Sequence, residues 1–344
     1  MLKKKKQNWN FFYTLILAAG ALAIGFALVI INNAREQKDE AQSKVQKIIA
    51  EKPAVCEKIR RIDGLCLMSE NEPIVFSIMI DNHRAAMPPA GLSQASLVYE
   101  AIAEAPITRL LAVFYAEPAV EKIGHVRSAR PYFVDWAAEF GGPYVHVGGS
   151  DEALDYLDSK NVFDLNEFSS GQYFWRNFFK KAPHNVFTST NRIEQAIKDK
   201  NWKITGDFAS WKFQPEKPAD KKSLAQVVKV DFSDADYAVE WRYDRESNEY
   251  VRYIGGEIER DTEGKEIRAK NIVVMRTESK IIDSYGRLKT RTVGIGKSVV
   301  YQGNKEIEGE WLRPNLNERT RFYAADGEEI AFFPGTTWIE VVAK

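Results

Sequence analysis

Residues 74–83 read Ile-Val-Phe-Ser-Ile-Met-Ile-Asp-Asn-His: seven positions, apolar except for Ser77, and then three polar ones. A run this short and this uniformly apolar marks a strand covered on both faces, since a helix would need at least about ten residues. Similar strands are expected at Leu97–Ala101, Ile107–Tyr115 and Tyr144–Val147. Between the last two, Pro131–Phe140 reads as a helix, with proline in its first turn and Gly141–Gly142 as its stop. After Val147 come Gly148, Gly149 and Ser150 and then Asp151 to Leu157, which together read as a glycine turn, a serine cap and an acidic first helical turn. A further helix is expected over Asn191–Lys198, with Ser189 or Thr190 near its cap. Residues 72–214 are therefore predicted to form an α/β domain around a mixed sheet.

Beyond a polar linker at 215–226, which carries Pro215 and Pro218, the pattern changes. From Val227 on, short alternating segments are punctuated by the turn signals Gly303–Asn304, Asp326–Gly327 and Pro334–Gly335. Residues 227–344 are predicted to be a mainly β domain, a compact antiparallel sheet or open barrel.

Toward the N-terminus, Lys3, Lys4, Lys5 and Lys6 precede an uncharged run from Phe11 to Ile31. As a helix it would span about 31 Å, the thickness of a bilayer's hydrocarbon core. The lysines place residues 1–10 in the cytoplasm and everything after the run outside it, in a single-pass topology. Trp9 and Tyr13 stand where interfacial aromatics would. The competing reading is a cleaved signal peptide, with small residues at Ala19, Ala21 and Ala23. The apolar run outlasts the roughly 7–15 residues of a typical signal core, which favours an uncleaved anchor. Residues 32–71 are expected to be a stalk or linker. Cys56 and Cys66 would close a small disulfide loop in an oxidising compartment, worth about 3 kcal/mol, or remain free thiols in a reducing one.

The chain has 344 residues, with 48 Lys and Arg against 48 Asp and Glu. That balance gives no global field for nucleic acid, and none is expected as a partner. No histidine pair has metal-ligand spacing, and neither a phosphate-loop nor a dinucleotide fingerprint is present, so neither metal nor cofactor is expected. The absence of GxSxG and SxxK argues against the commoner serine hydrolases.

The densest polar constellation is Arg127-Ser128-Ala129-Arg130, directly before the helix that opens at Pro131. Two guanidiniums beside the unpaired N–H groups of a helix start suit a phosphate or carboxylate. The bland alternative is that each arginine pairs with a carboxylate of the chain itself. Arg109, on a strand with apolar same-face neighbours, either joins that cluster or pairs with Glu100 or Glu104. Asp81 and Asn82, with His83, follow the first strand, at the carboxyl end where ligand groups gather in α/β sheets. Asp81 and His184 are candidate acid and base, and Asn82 and Asn185 candidate ligand contacts. Turn formation explains both segments equally well.

Several ordered pieces resemble one bacterial envelope family, the YerB-like lipoproteins (domain of unknown function 3048). They are Ile80-Asp-Asn-His83, Gly91-Leu-Ser-Gln-Ala95, Val98-Tyr-Glu100, Ile107-Thr-Arg109, Ile123-Gly-His-Val-Arg-Ser-Ala-Arg130, Gly148-Gly-Ser150 and Ala182-Pro-His-Asn185. Gly294-Ile-Gly296, Gly309-Glu-Trp311 and Pro334-Gly-Thr-Thr-Trp-Ile339 continue the likeness. The resemblance implies an α/β domain and a β-rich domain, exported and tethered. It brings no reaction. The sequence departs from the family in lacking a cysteine just after its apolar run, so its anchor would be the helix at 11–31 in the lipid bilayer. His125 also stands where relatives often carry proline.

Two functions compete. One is a tethered envelope module that binds an anionic cell-wall component or an envelope protein. The other is a hydrolase or transferase acting on cell-wall material. Convergence of Asp81, Arg109, Arg127, Arg130 and His184 on one site would favour both, and arginines each locked to a carboxylate would weaken both.

Overall fold

The computed structural model describes residues 58–344 apart from 161, 218–222, 233 and 234, together with residues 32, 33, 35, 37, 38 and 56. The expected span at 11–31 lies outside the described residues. Among those described, no helix is long and apolar enough to cross a membrane.

One mixed sheet of ten strands organises residues 58–344. Its strands are β1 (Val75–Asp81), β2 (Leu97–Glu104), β3 (Ile107–Tyr115), β4 (Tyr144–His146), β5 (Asp164–Asn166), β6 (Asn271–Thr277), β7 (Gly294–Gln302), β8 (Lys305–Arg313), β9 (Arg321–Ala324) and β10 (Thr337–Ala343). They lie in the order β9-β8-β7-β6-β10-β2-β3-β1-β4-β5. The last strand of the chain is thus near the middle of the sheet. It pairs in parallel with β2, from Leu97–Thr337 to Ala101–Val341, and on its other side with β6, from Asn271–Thr337 to Thr277–Ala343. The linker expected at 215–226 therefore separates two stretches of sequence that share one sheet.

β1 is buried at every position, as its composition requires. Because side chains alternate across a strand, Phe76, Ile78 and Ile80 enter one core, while Val75 and Met79 enter the other. The second core is roofed by α1 (Pro131–Ala138), through Tyr132, Phe133 and Trp136, and by α2 (Asp151–Ser159), through Ala153 and Leu157. Ser150 caps α2 by accepting a hydrogen bond from the Ala153 N–H. The first core is covered by α3 (Thr190–Asp199), through Ile193 and Ala196, and by a smaller antiparallel sheet that includes Val227–Val230, Val239–Asp244 and Glu249–Ile254.

Residues 58–71, assigned from sequence to the stalk, are part of this body. Ile62 is fully buried, and Asp63 accepts hydrogen bonds from Arg60 and from the Ser96 hydroxyl. Cys56 and Cys66 are joined in a disulfide.

Buried charge ties the halves together. Arg252, fully buried, meets Glu100 Oε2 at 2.6 Å and also Glu259, with the Trp338 ring 4.9 Å away. Glu340 lies opposite Glu100 across the β2–β10 pair and accepts a hydrogen bond from Trp241 Nε1 at 2.7 Å. Burial and the Glu100 charge hold the Glu340 carboxyl well above the usual carboxylate range, so it stays protonated. A second link joins α1 to the C-terminal half: Glu139 accepts from the Thr320 hydroxyl at 2.7 Å and lies 3.4 Å from Arg313.

Arg252→Ala leaves Glu100 and Glu259 buried without their cation, and is expected to cost about 3–5 kcal/mol in urea unfolding. A loss under about 1 kcal/mol would mean that Arg252 is not the counter-charge of this core.

Candidate functional site

At the carboxyl end of β1 the strand leaves the sheet through Asp81, Asn82 and His83. Asp81 is 3% exposed. Its Oδ1 accepts the His83 backbone N–H at 2.9 Å, and its Oδ2 lies 2.6 Å from His184 Nδ1. Arg127 Nε is 3.0 Å from the same Oδ2, an ion pair whose N–H is not aimed at the oxygen. Both Asp81 oxygens are therefore engaged. The carboxylate is placed to fix the orientation of the His184 ring.

The imidazoles have definable tautomers. His83 Nδ1 accepts the Ala85 backbone N–H at 3.0 Å, so its proton sits on Nε2. His184 Nδ1 donates to Asp81, which leaves its Nε2 with a lone pair while the ring is neutral. The two rings stack, with centroids 4.8 Å apart. His184 is presented by the loop after the strand at Trp175–Arg176, and Asn177 N–H···O=C Asn185 closes that loop at 2.8 Å.

Two groups that the sequence reading left out belong here. Lys180, from the same loop as His184, donates to the carbonyls of Ala86 and Met87, each at 3.3 Å. Burial lowers its pKa, and the nearby Lys122 charge lowers it further. His125 is 1% exposed, and neither ring nitrogen has a hydrogen-bond partner among the described residues. Burial first, and then the Lys180 charge, depress its pKa to about 4. Lys180 could have been found from its spacing to His184, four residues on in one loop. His125 gave no local signal beyond standing two residues before Arg127.

The arginines divide. Arg127 joins Asp81, whereas Arg130 pairs with Glu104, and Arg109 lies 3.7 Å from the same Glu104 while donating to the Ser128 carbonyl at 2.9 Å. Arg130 also donates to the Ala129 carbonyl at 2.6 Å. Each of the three therefore has a carboxylate within reach, the outcome that weakens a three-arginine anion clamp. Ser128 contributes its carbonyl to Arg109. Asn82 turns inward: its Nδ2 donates to Glu100 at 3.0 Å and Thr108 at 2.7 Å. Asn185 is 7% exposed and accepts from Arg176 at 3.2 Å. Both asparagines thus bond the protein's own groups, while the buried Asn82 Oδ1 has no partner among the described residues. Among the described residues no cluster of three His, Cys, Asp or Glu side chains could hold a metal ion.

Two family models match, the N-terminal domain of a protein of unknown function, DUF3048, over residues 65–203, and its C-terminal domain over residues 228–339. The chain belongs to the DUF3048 family. Within it, the chain is 35% identical over 281 residues to "Putative lipoprotein YerB" of Bacillus subtilis strain 168, covering 80% of this chain and 82% of that one. The crystal structure of YerB from Bacillus subtilis superposes with a TM-score of 0.75 at 33% identity, covering 83% of this chain and 97% of that chain. The DUF3048 pieces quoted from the sequence meet in space: Asp81, Arg127 and His184 come from three of them.

His125 gives this DUF3048 protein a pH signature. The unfolded imidazole takes up a proton near its ordinary value of about 6.5, the folded one only near 4. Stability should therefore fall as pH drops from about 6.5 toward 4, by roughly 2 kcal/mol after solvent screening. His125→Phe should flatten that part of the pH–stability curve, read by urea unfolding at stepped pH. An unchanged slope would assign the acid sensitivity to other groups.

Proposed function

We infer that this chain is a membrane-tethered envelope protein that binds an anionic cell-wall component at the carboxyl end of β1. The observation that carries this reading is the charge around Asp81 and Glu104. These two carboxylates face three guanidiniums, from Arg109, Arg127 and Arg130, with the ammonium groups of Lys122 and Lys180 close by. Among these seven groups the surplus is positive, five cations against two carboxylates. Binding therefore rests on Arg127, Lys180 and the two stacked imidazoles, with Arg109 and Arg130 holding the frame. Buried His125, with two unpartnered ring nitrogens, supplies further polar capacity.

The tether is the apolar run at 11–31, with the body outside the cytoplasm. The likeness to a relative named as a lipoprotein supports a membrane address. The full chain should remain in the membrane fraction after an alkaline wash, and removal of residues 1–31 should release the body. Retention of the shortened chain would place the attachment elsewhere.

A second reading is supported by the Asp81–His184 bond at 2.6 Å. A carboxylate that fixes an imidazole and leaves Nε2 free is the arrangement of a general base. In this reading His184 activates water or a hydroxyl, as in a hydrolase or transferase acting on cell-wall material.

Thermal-shift titration with soluble cell-wall fragments separates the two. The chain should be stabilised by an anionic fragment, and Arg127→Ala should weaken the apparent affinity by about tenfold or more, the loss of a charged hydrogen-bonding partner. If no fragment shifts the melting temperature, or the variant responds like the parent, the anion site is lost. Fragment turnover that disappears in His184→Asn while binding persists would establish the catalytic reading.

A further inference from the structure

The loop that carries Lys180 and His184 has a second, unassigned feature. Its tip exposes two adjacent phenylalanines almost completely, Phe178 at 93% and Phe179 at 101%. Large apolar side chains are rarely left so bare in pairs without an interaction to make. The tip is held in place: the Phe179 N–H donates to Asn177 Oδ1 at 3.0 Å, Lys180 N–H to the Asn177 carbonyl at 3.2 Å, and His184 N–H to the Lys181 carbonyl at 3.1 Å. Lys180 Nζ ties the base of the loop to the carbonyls of Ala86 and Met87. The rings are therefore presented by an ordered turn.

The surroundings are basic. Lys181 is exposed, and Lys122, exposed as well, lies 4.5 Å over the Phe187 ring. Neither forms an ion pair with a carboxylate among the described residues. A pair of exposed aromatic rings with exposed lysines on the same loop and near its base matches a soft, negatively charged surface, where rings enter the headgroup boundary and lysines meet lipid phosphates. A protein partner would instead have to supply a concave apolar pocket. The sequence also brings such a surface within reach: residues 32–57 between the expected anchor and the body could span at most about 90 Å.

We propose that Phe178, Phe179 and the adjoining lysines dock the body onto an anionic bilayer surface. The proposal is independent of what the Asp81–His184 site binds. It sets that site, only a few residues along the loop, at the level of the lipid headgroups.

The test uses the full chain. Since Cys56 and Cys66 are joined to each other, Phe178→Cys introduces a single thiol for an environment-sensitive fluorophore, while Phe179 is retained. Labelled chain is reconstituted into vesicles of phosphatidylcholine alone or mixed with phosphatidylglycerol. In the mixed vesicles the emission should move to the blue and be quenched by lipids brominated on the upper acyl chain. A label at Asp326→Cys, exposed at the β9 turn, should show neither change. Adding Lys181→Gln should lower the docked-to-undocked ratio by about fivefold. Arg127→Ala should leave the signal intact, so a failed anion site and a failed docking loop give different results. Emission that stays at its aqueous position in both vesicles overturns the proposal, as does a shift of equal size without anionic lipid.

Discussion

The arginine at 252 is the charge on which the rest of the molecule hangs. It comes from the small antiparallel sheet, yet its guanidinium lies fully buried against Glu100 of β2, Glu259 and the Trp338 ring of β10. Desolvating such a group is costly, and the arrangement is tolerable only because each charge has a partner and Glu340 gives up its own by staying protonated. The same Glu100 accepts from Asn82, the neighbour of Asp81. A continuous chain of polar contacts thus runs from the buried core to the base of the candidate site. The site's carboxylate is positioned by a backbone that this network pins.

Much of the local structure was legible because it depends on neighbours in sequence. The apolar run at 74–80 became a strand buried on both faces, proline opened α1, Ser150 capped α2, and Gly303–Asn304 turned β7 into β8. What stayed hidden depends on distant pairings. Nothing local says that β10 inserts between β2 and β6, since strand neighbours are chosen by three-dimensional packing. Ile62 and Asp63 lie in a charged, stalk-like stretch, and only their burial in the fold reveals them as part of the body.

The candidate site shows the same division. The end of β1 was a reasoned location, because loops at the carboxyl ends of strands leave groups free to meet a ligand. Asp81 and His184, 103 residues apart, were candidates for one site from their residue types, and Glu104 was a candidate partner for Arg109, but the direct Asp81–His184 bond and the sharing of Glu104 with Arg130 needed the fold. Residue type predicts that a buried arginine needs a carboxylate but not which one. Two of the three arginines share Glu104, and the third meets Asp81 beside His184.

The position of β10 also bears on how the molecule comes into being. Synthesis delivers the chain from its N-terminus, yet the strand that separates β2 from β6 is made last. Until it arrives, β2 presents an open edge, and β6 lacks the neighbour that buries its backbone polar groups. The ten-stranded sheet therefore cannot be completed before β10 is made. The seven-residue strand Thr337–Ala343 thus acts as the closing key of the large sheet.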